Sequence, residues 1–129
     1  MHVNYKTEIS GTVETAVIKI TDALMKEGFG VLTRIDLHTK IKDKLNKMIS
    51  PTVILGACNP TLAYEAFSTN PDVASLLPCN AVVREIVPGL ISIELAKPSA
   101  LMEILGDKKL IQLAGDADRI LEKVIKDLH

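Results

Sequence analysis

Tryptophan is absent from this chain, and its 129 residues include only two tyrosines and two phenylalanines. A core built from such a sequence must be aliphatic, filled by Val, Ile, Leu, Ala and Met. The same scarcity removes the aromatic platform on which proteins stack single-stranded nucleic acid. Charge of one sign is lacking too: 15 Lys and Arg stand against 16 Asp and Glu, a formal net charge of −1. That balance supplies no basic surface for a phosphate backbone, so a nucleic-acid partner is not expected. No apolar run approaches the roughly 18 residues of a membrane span. The opening Met1-His2-Val3-Asn4-Tyr5-Lys6 lacks the apolar stretch of a signal peptide. A cytoplasmic location, away from membranes, is the expectation.

Motifs with a fixed chemistry are also missing. The chain has no phosphate-binding loop, no dinucleotide fingerprint, no nucleophile elbow and no zincin helix. Carboxylates fall on presumed solvent faces and offer no acid–base pair, so the sequence leaves enzymatic activity undecided and identifies no cofactor. His2, His38 and His129 have no ligand spacing and are expected at the surface.

What is present is a regular succession of elements. Val3, Tyr5, Thr7 and Ile9 alternate with polar residues as a first strand does. Ser10-Gly11-Thr12 supplies a turn and a cap. Val13, Ala16, Val17, Ile20, Ala23 and Leu24 then fall on one helical face, which Gly28 ends. Residues 29 to 37 read as a second strand with Phe29, Val31 and Ile35 on one face. Lys40, Lys42, Lys44 and Lys47 interleave with Ile41, Leu45 and Met48. That spacing predicts an amphipathic helix from Thr39 to Met48 with a solvated basic face, closed by Pro51. Thr52 to Cys58 is nearly all apolar, as in a central strand covered on both faces. Asn59 and Pro60 suit the cap and first position of the next helix, and Asn70-Pro71 repeats the device. Cys79 to Val87 and Leu90 to Ala96 read as a hairpin around Pro88-Gly89. A short helix starts at Pro98. The last helix, from Lys108, is interrupted by Gly115, which hints at a close contact or a boundary there. Strand–helix alternation of this kind specifies one α/β domain over residues 1–129. A mixed sheet of about five strands, in undetermined order, is expected with helices packed on it.

Only two cysteines occur, and each precedes an asparagine where an apolar run meets a turn: Leu55-Gly56-Ala57-Cys58-Asn59-Pro60 and Leu76-Leu77-Pro78-Cys79-Asn80. Free thiols are the expectation for both. A strand entering a capped helix is a recurring place for reactive or binding groups, because first-turn amides lack partners and the helix dipole is positive there. The two thiols share one end of the sheet only if their strands run antiparallel. Three chemistries follow: thiol redox exchange, a soft-metal site of Cys58, Cys79 and Met102 suited to cuprous ion, and an anion or small-ligand pocket behind Asn59. The candidate ligand-binding residues are Cys58, Asn59, Pro60, Cys79 and Asn80.

These segments, with Gly28-Phe29, Ala63, Ala81-Val82-Val83 and the stretch from Pro98 to Met102, carry a resemblance. The chain resembles, almost end to end, the bacterial and archaeal family of domains of unknown function number three-hundred-and-two. The resemblance implies a compact α/β domain that forms homodimers, and it implies no activity. Other branches keep Asn-Pro while replacing the cysteine, which makes the helix start the shared element. The segment from Lys40 to Ser50 departs from the family and carries no inherited role. The resulting expectation is a homodimeric cytoplasmic module that binds a small molecule or soft metal at the Cys-Asn-Pro junction. A thiol-dependent enzyme or redox protein, and a purely structural domain, are the alternatives.

Overall fold

Antiparallel pairing governs the architecture, seen in a computed structural model that describes residues 3–129. Strands β1 (Asn4–Ser10), β2 (Gly30–Asp36), β3 (Thr52–Cys58), β4 (Cys79–Val87) and β5 (Leu90–Ala96) form one sheet in the order β1-β5-β4-β3-β2. Helix α1 (Val13–Lys26) follows β1, α2 (Leu37–Leu45) follows β2, and α3 (Pro60–Thr69) follows β3. A 3₁₀ segment, Pro71–Leu76, then leads to β4, while α4 (Pro98–Met102) and α5 (Lys108–Lys126) come after β5. The single five-stranded α/β domain is as expected, but the mixed sheet is corrected: all four neighbouring pairs are antiparallel. The reason lies in the connections. The segments through α2 and α3 return the chain beside the strand it left, and only α1 crosses from one edge to the other.

Helix α1 shows how local signals set the frame. Thr12 caps it, its hydroxyl accepting from the Thr15 N–H while Thr15 returns the contact to the Thr12 N–H. At the far end Gly28 takes a φ of +83°, a conformation that costs a side chain but not glycine. The Phe29 N–H then bonds the Leu24 carbonyl and the Gly28 N–H bonds that of Met25, the arrangement of a Schellman cap. The turn delivers Phe29 into the core, where it is 2% exposed.

Val13, Ala16, Val17, Ile20 and Leu24 of α1 pack with Leu121, Val124 and Ile125 of α5 over Val53, Leu55, Val83, Ile91, Ile93 and Leu95 of the sheet. Each fully buried Ile or Leu among them contributes roughly 1.5–3 kcal/mol. The alternate residues face the other way. There Glu94 bonds Arg84 at 2.9 Å and pairs with Lys6 at 3.5 Å across three strands.

Three expectations need revision. Ile35 does not share a face with Val31: Leu32 is an unmatched bulge between Val31 and Thr33, which inverts the alternation and leaves Ile35 44% exposed. Helix α2 starts at Leu37 and ends at Leu45, because Asn46 adopts the left-handed conformation five residues before Pro51. It buries no residue fully, and Leu45 is exposed. His38 is half-buried, its Nδ1 accepting from the Thr52 N–H at 3.0 Å and so tying α2 to β3. His129 is exposed, with its ring beside the Thr7 hydroxyl, and His2 lies outside the described residues.

Candidate functional site

The junction of β3 with α3 is built by three local devices. Gly56 lies under Pro78, and a Cβ added to it would come within 2.7 Å of the proline ring as well as striking the Thr33 hydroxyl. The Gly-Ala-Cys-Asn-Pro and Leu-Leu-Pro-Cys-Asn segments are therefore two halves of one contact. Asn59 caps α3, its Oδ1 accepting from the Leu62 N–H at 3.1 Å, and Pro60 occupies the first helical position. Antiparallel pairing then sets Cys79 directly opposite Ala57.

A cleft opens beside this junction, between α3 on one side and α4 and α5 on the other. Phe29, Ala57, Cys58, Asn59 and Cys79 border its inner end; Leu62, Ala63, Ala66, Leu77, Pro98, Met102, Leu110, Leu113, Ala114 and Ala117 complete most of its walls. The space amounts to about 540 Å³ with its open mouth, of which about 60 Å³ can hold the centre of a water molecule. That room exceeds what a single water needs and suits a narrow molecule rather than a large cofactor. Among the described residues, Asn59 is the sole amide side chain on the lining, and no carboxylate, lysine, arginine or histidine borders it.

Four of the residues singled out from the sequence thus meet here: Cys58, Asn59, Cys79 and Met102. Pro60 and Asn80 are exposed and do not border the cleft. The two cysteines share an end of the sheet, yet their places in the ladder differ. Cys79 pairs with Ala57 and shares its face, whereas Cys58, one residue on, belongs to the alternate set. Both are free thiols. Burial pushes the Cys79 thiol up to about 11, with smaller contributions from Cys58 and Asp118. It is neutral at physiological pH and a poor nucleophile.

An anion finds little at the start of α3. Pro60 has no N–H, the Leu62 N–H is held by Asn59 Oδ1, and the Ala63 N–H bonds the Asn59 carbonyl at 2.9 Å. Among the described residues, no group of three or more His, Cys, Asp or Glu side chains is placed to hold a metal ion.

Sequence reasoning missed the walls. Ala63 and Ala66 of α3 face Ala114 and Ala117 of α5 across the cleft, and small side chains on both helices keep it from closing. Their three-residue spacing on each helix was the available signal. Gly115, by contrast, marks neither a boundary nor a tight contact: α5 runs through it, and the nearest neighbour of an added Cβ would be an Arg119 nitrogen at 3.9 Å.

An α/β domain with one apolar cleft at a capped strand–helix junction is the class that these features define. The chain matches the model of the domain of unknown function DUF302 over residues 5–128, and it belongs to that family. Its fold is similar to the crystal structure of an uncharacterized conserved DUF302 protein from Bacillus stearothermophilus, with a TM-score of 0.92 and 28% identity over 100% of both chains. No curated protein matches it. No helix among the described residues is long and apolar enough to cross a membrane.

Proposed function

We propose that this domain is a cytoplasmic homodimeric binding module whose site is the cleft between α3, α4 and α5. One observation carries the reading: two sequence-distant segments, each with a cysteine, converge through Gly56 and Pro78 on the domain's apolar cleft. Apolar concavities with a few placed polar groups are the usual form of small-molecule sites. Cys58, Asn59, Cys79 and Met102 lie on the lining of the cleft.

Native mass spectrometry of the reduced protein, purified without chelators, tests this reading. A bound mass is expected in the wild type and lost in Ala63→Phe, which fills the cleft. Retention of that mass by a folded Ala63→Phe protein would place the ligand elsewhere.

A soft-metal site of Cys58, Cys79 and Met102 is supported by their shared position on the cleft and opposed by the differing ladder faces of the cysteines. A thiol-dependent enzyme is disfavoured because no base among the described residues borders the cleft and burial keeps Cys79 protonated. Alkylation by iodoacetamide at pH 7.5 should be about 100-fold slower at Cys79 than at an ordinary thiol. Equal, fast labelling of both cysteines would restore the enzymatic or redox reading.

The dimer surface is assigned to the β2 and α2 side of the domain. Leu32, Ile35, Leu45 and Met48 are exposed there, whereas the opposite edge strand β1 presents Lys6 and Glu8. Charged edges resist pairing and apolar ones invite cover. Ile35→Lys with Leu45→Lys should convert a dimer to a monomer in light scattering, leaving the circular dichroism spectrum unchanged.

A further inference from the structure

The hydrogen bonds around Asn59 restrict what the cleft can hold, and this inference rests on the cleft being the binding site. An asparagine amide has an acceptor end and a donor end. Here Oδ1 already takes the Leu62 N–H, and that bond fixes which way round the amide lies. The donor end, Nδ2, lies about 3.1 Å from where a side chain on Gly28 would begin, so glycine there leaves the amide its room. No protein acceptor bonds Nδ2 among the described residues, and Asn59 borders the cleft. Nδ2 is thus a donor without a protein acceptor, carried by a residue on the border of an otherwise apolar space.

The rest of the lining sets the remaining limits. A carboxylate or phosphate would leave water without a cationic partner, since no Lys, Arg or His among the described residues borders the cleft, and an unpaired ion in such surroundings is strongly disfavoured. The first turn of α3 offers only the Thr61 N–H, because its neighbours are absent or engaged. A cation would meet the donor end of Asn59 and no carboxylate. The neutral Cys79 thiol and Met102 present polarizable apolar surface.

We propose that the cleft takes a small neutral molecule, apolar along its body, whose single acceptor oxygen (ketone, ester or alcohol) receives a hydrogen bond from Asn59 Nδ2. The volume confines that molecule to a narrow one of a few to about ten non-hydrogen atoms, at the small end of ligand pockets. Asn59 then has two roles in one side chain: its oxygen starts the helix and its nitrogen reads the ligand.

Amide-shift NMR titrations of the reduced full chain with acetophenone, toluene and benzoate test the proposal. These share a ring and differ in carrying a neutral acceptor, no acceptor and a negative charge. Acetophenone should bind about three- to tenfold more tightly than toluene, the worth of one neutral hydrogen bond, with benzoate weakest. In Asn59→Asp the helix cap keeps its acceptor but the donor is gone, so the acetophenone advantage should vanish while toluene binding persists. Benzoate binding as well as acetophenone, or an advantage unchanged in Asn59→Asp, overturns the proposal while leaving the cleft as a site. Binding of none of the three overturns it as well. Shifts that map away from Ala63, Ala114 and Met102 overturn the cleft reading itself. Stoichiometric cuprous ion that displaces acetophenone, and fails to do so in Cys79→Ala, would replace the neutral ligand with the metal.

Discussion

Two apolar clusters share this domain, and they are built to different standards. Among the described residues, the larger gathers 19 buried residues from α1, the turn at Phe29, α5 and the sheet; the smaller has four, Val73, Met102, Leu110 and Ala114, ringed by half-buried neighbours. The large cluster interdigitates branched side chains from two layers, as a close-packed interior does. The small one lies at the end of the sheet where β3 and β4 meet the helices, and it leaves the cleft. Helix α5 serves both: Leu110 and Ala114 belong to the small cluster, while Ala117, Leu121, Val124 and Ile125 belong to the large. Close packing is thus concentrated in one part of the molecule and open space in the other.

Truncation tests that division most severely. Ile93→Ala, at a fully buried position in the large cluster, should cost about 3–4 kcal/mol, with ligand affinity unchanged once folding is corrected for. Met102→Ala, beside existing empty space, should cost about 2 kcal/mol, the low end for such a change, and should alter binding. Urea denaturation of both variants decides the point, and equal losses would erase the distinction. Gly56→Ala addresses the joint between the motif segments. Its Cβ meets Pro78 and Thr33, so a loss of about 2 kcal/mol is expected from overpacking. A neutral result would mean that the contact is loose.

Asn59→Ala removes the α3 cap and should lower stability by about 1 kcal/mol, with the lost helicity confined to α3 by hydrogen exchange. The smallest effect is set on the open sheet face. Burial pushes the Glu94 carboxyl up, but the Arg84 hydrogen bond and the charges of Lys6 and Arg84 outweigh it and leave the folded value below normal. A lowered folded value contributes stability that is present above the unfolded value, about 4.3, and fades as pH falls through the folded one. Glu94→Gln should therefore melt lower than wild type at pH 7 by about 1 kcal/mol or less. The difference should shrink below about pH 4. A gap that persists at pH 3 would assign the loss to packing instead.

Much of the fold was legible because its punctuation is local. Gly28, the Asn59-Pro60 and Asn70-Pro71 pairs and Pro88-Gly89 mark element ends by dihedral preference and capping alone. What stayed hidden depends on contacts between distant residues. No local pattern tells a returning connection from a crossover, so antiparallel pairing could not be separated from a mixed sheet. The Leu32 bulge follows from the partner strand, which is why Ile35 was assigned to the wrong face. The same limit applies to the site. Cys58, Asn59, Cys79 and Met102 were visible as residue types at turns, but the Ala63 and Ala114 walls acquire meaning only once α3 and α5 face each other. His38 was read as a surface residue because its partner, the Thr52 N–H, lies fourteen positions away.

The crossing of α1 from one sheet edge to the other also has a consequence during synthesis. Both edge strands lie within the first 36 residues, yet β1 pairs only with β5, Asn4 opposite Ala96. On the ribosome the nascent chain holds an unpaired strand until nearly three-quarters of its length has emerged. The central strands β3, β4 and β5 arrive last and fill the gap between the two edge strands, so the sheet closes from the inside only once β5 has emerged.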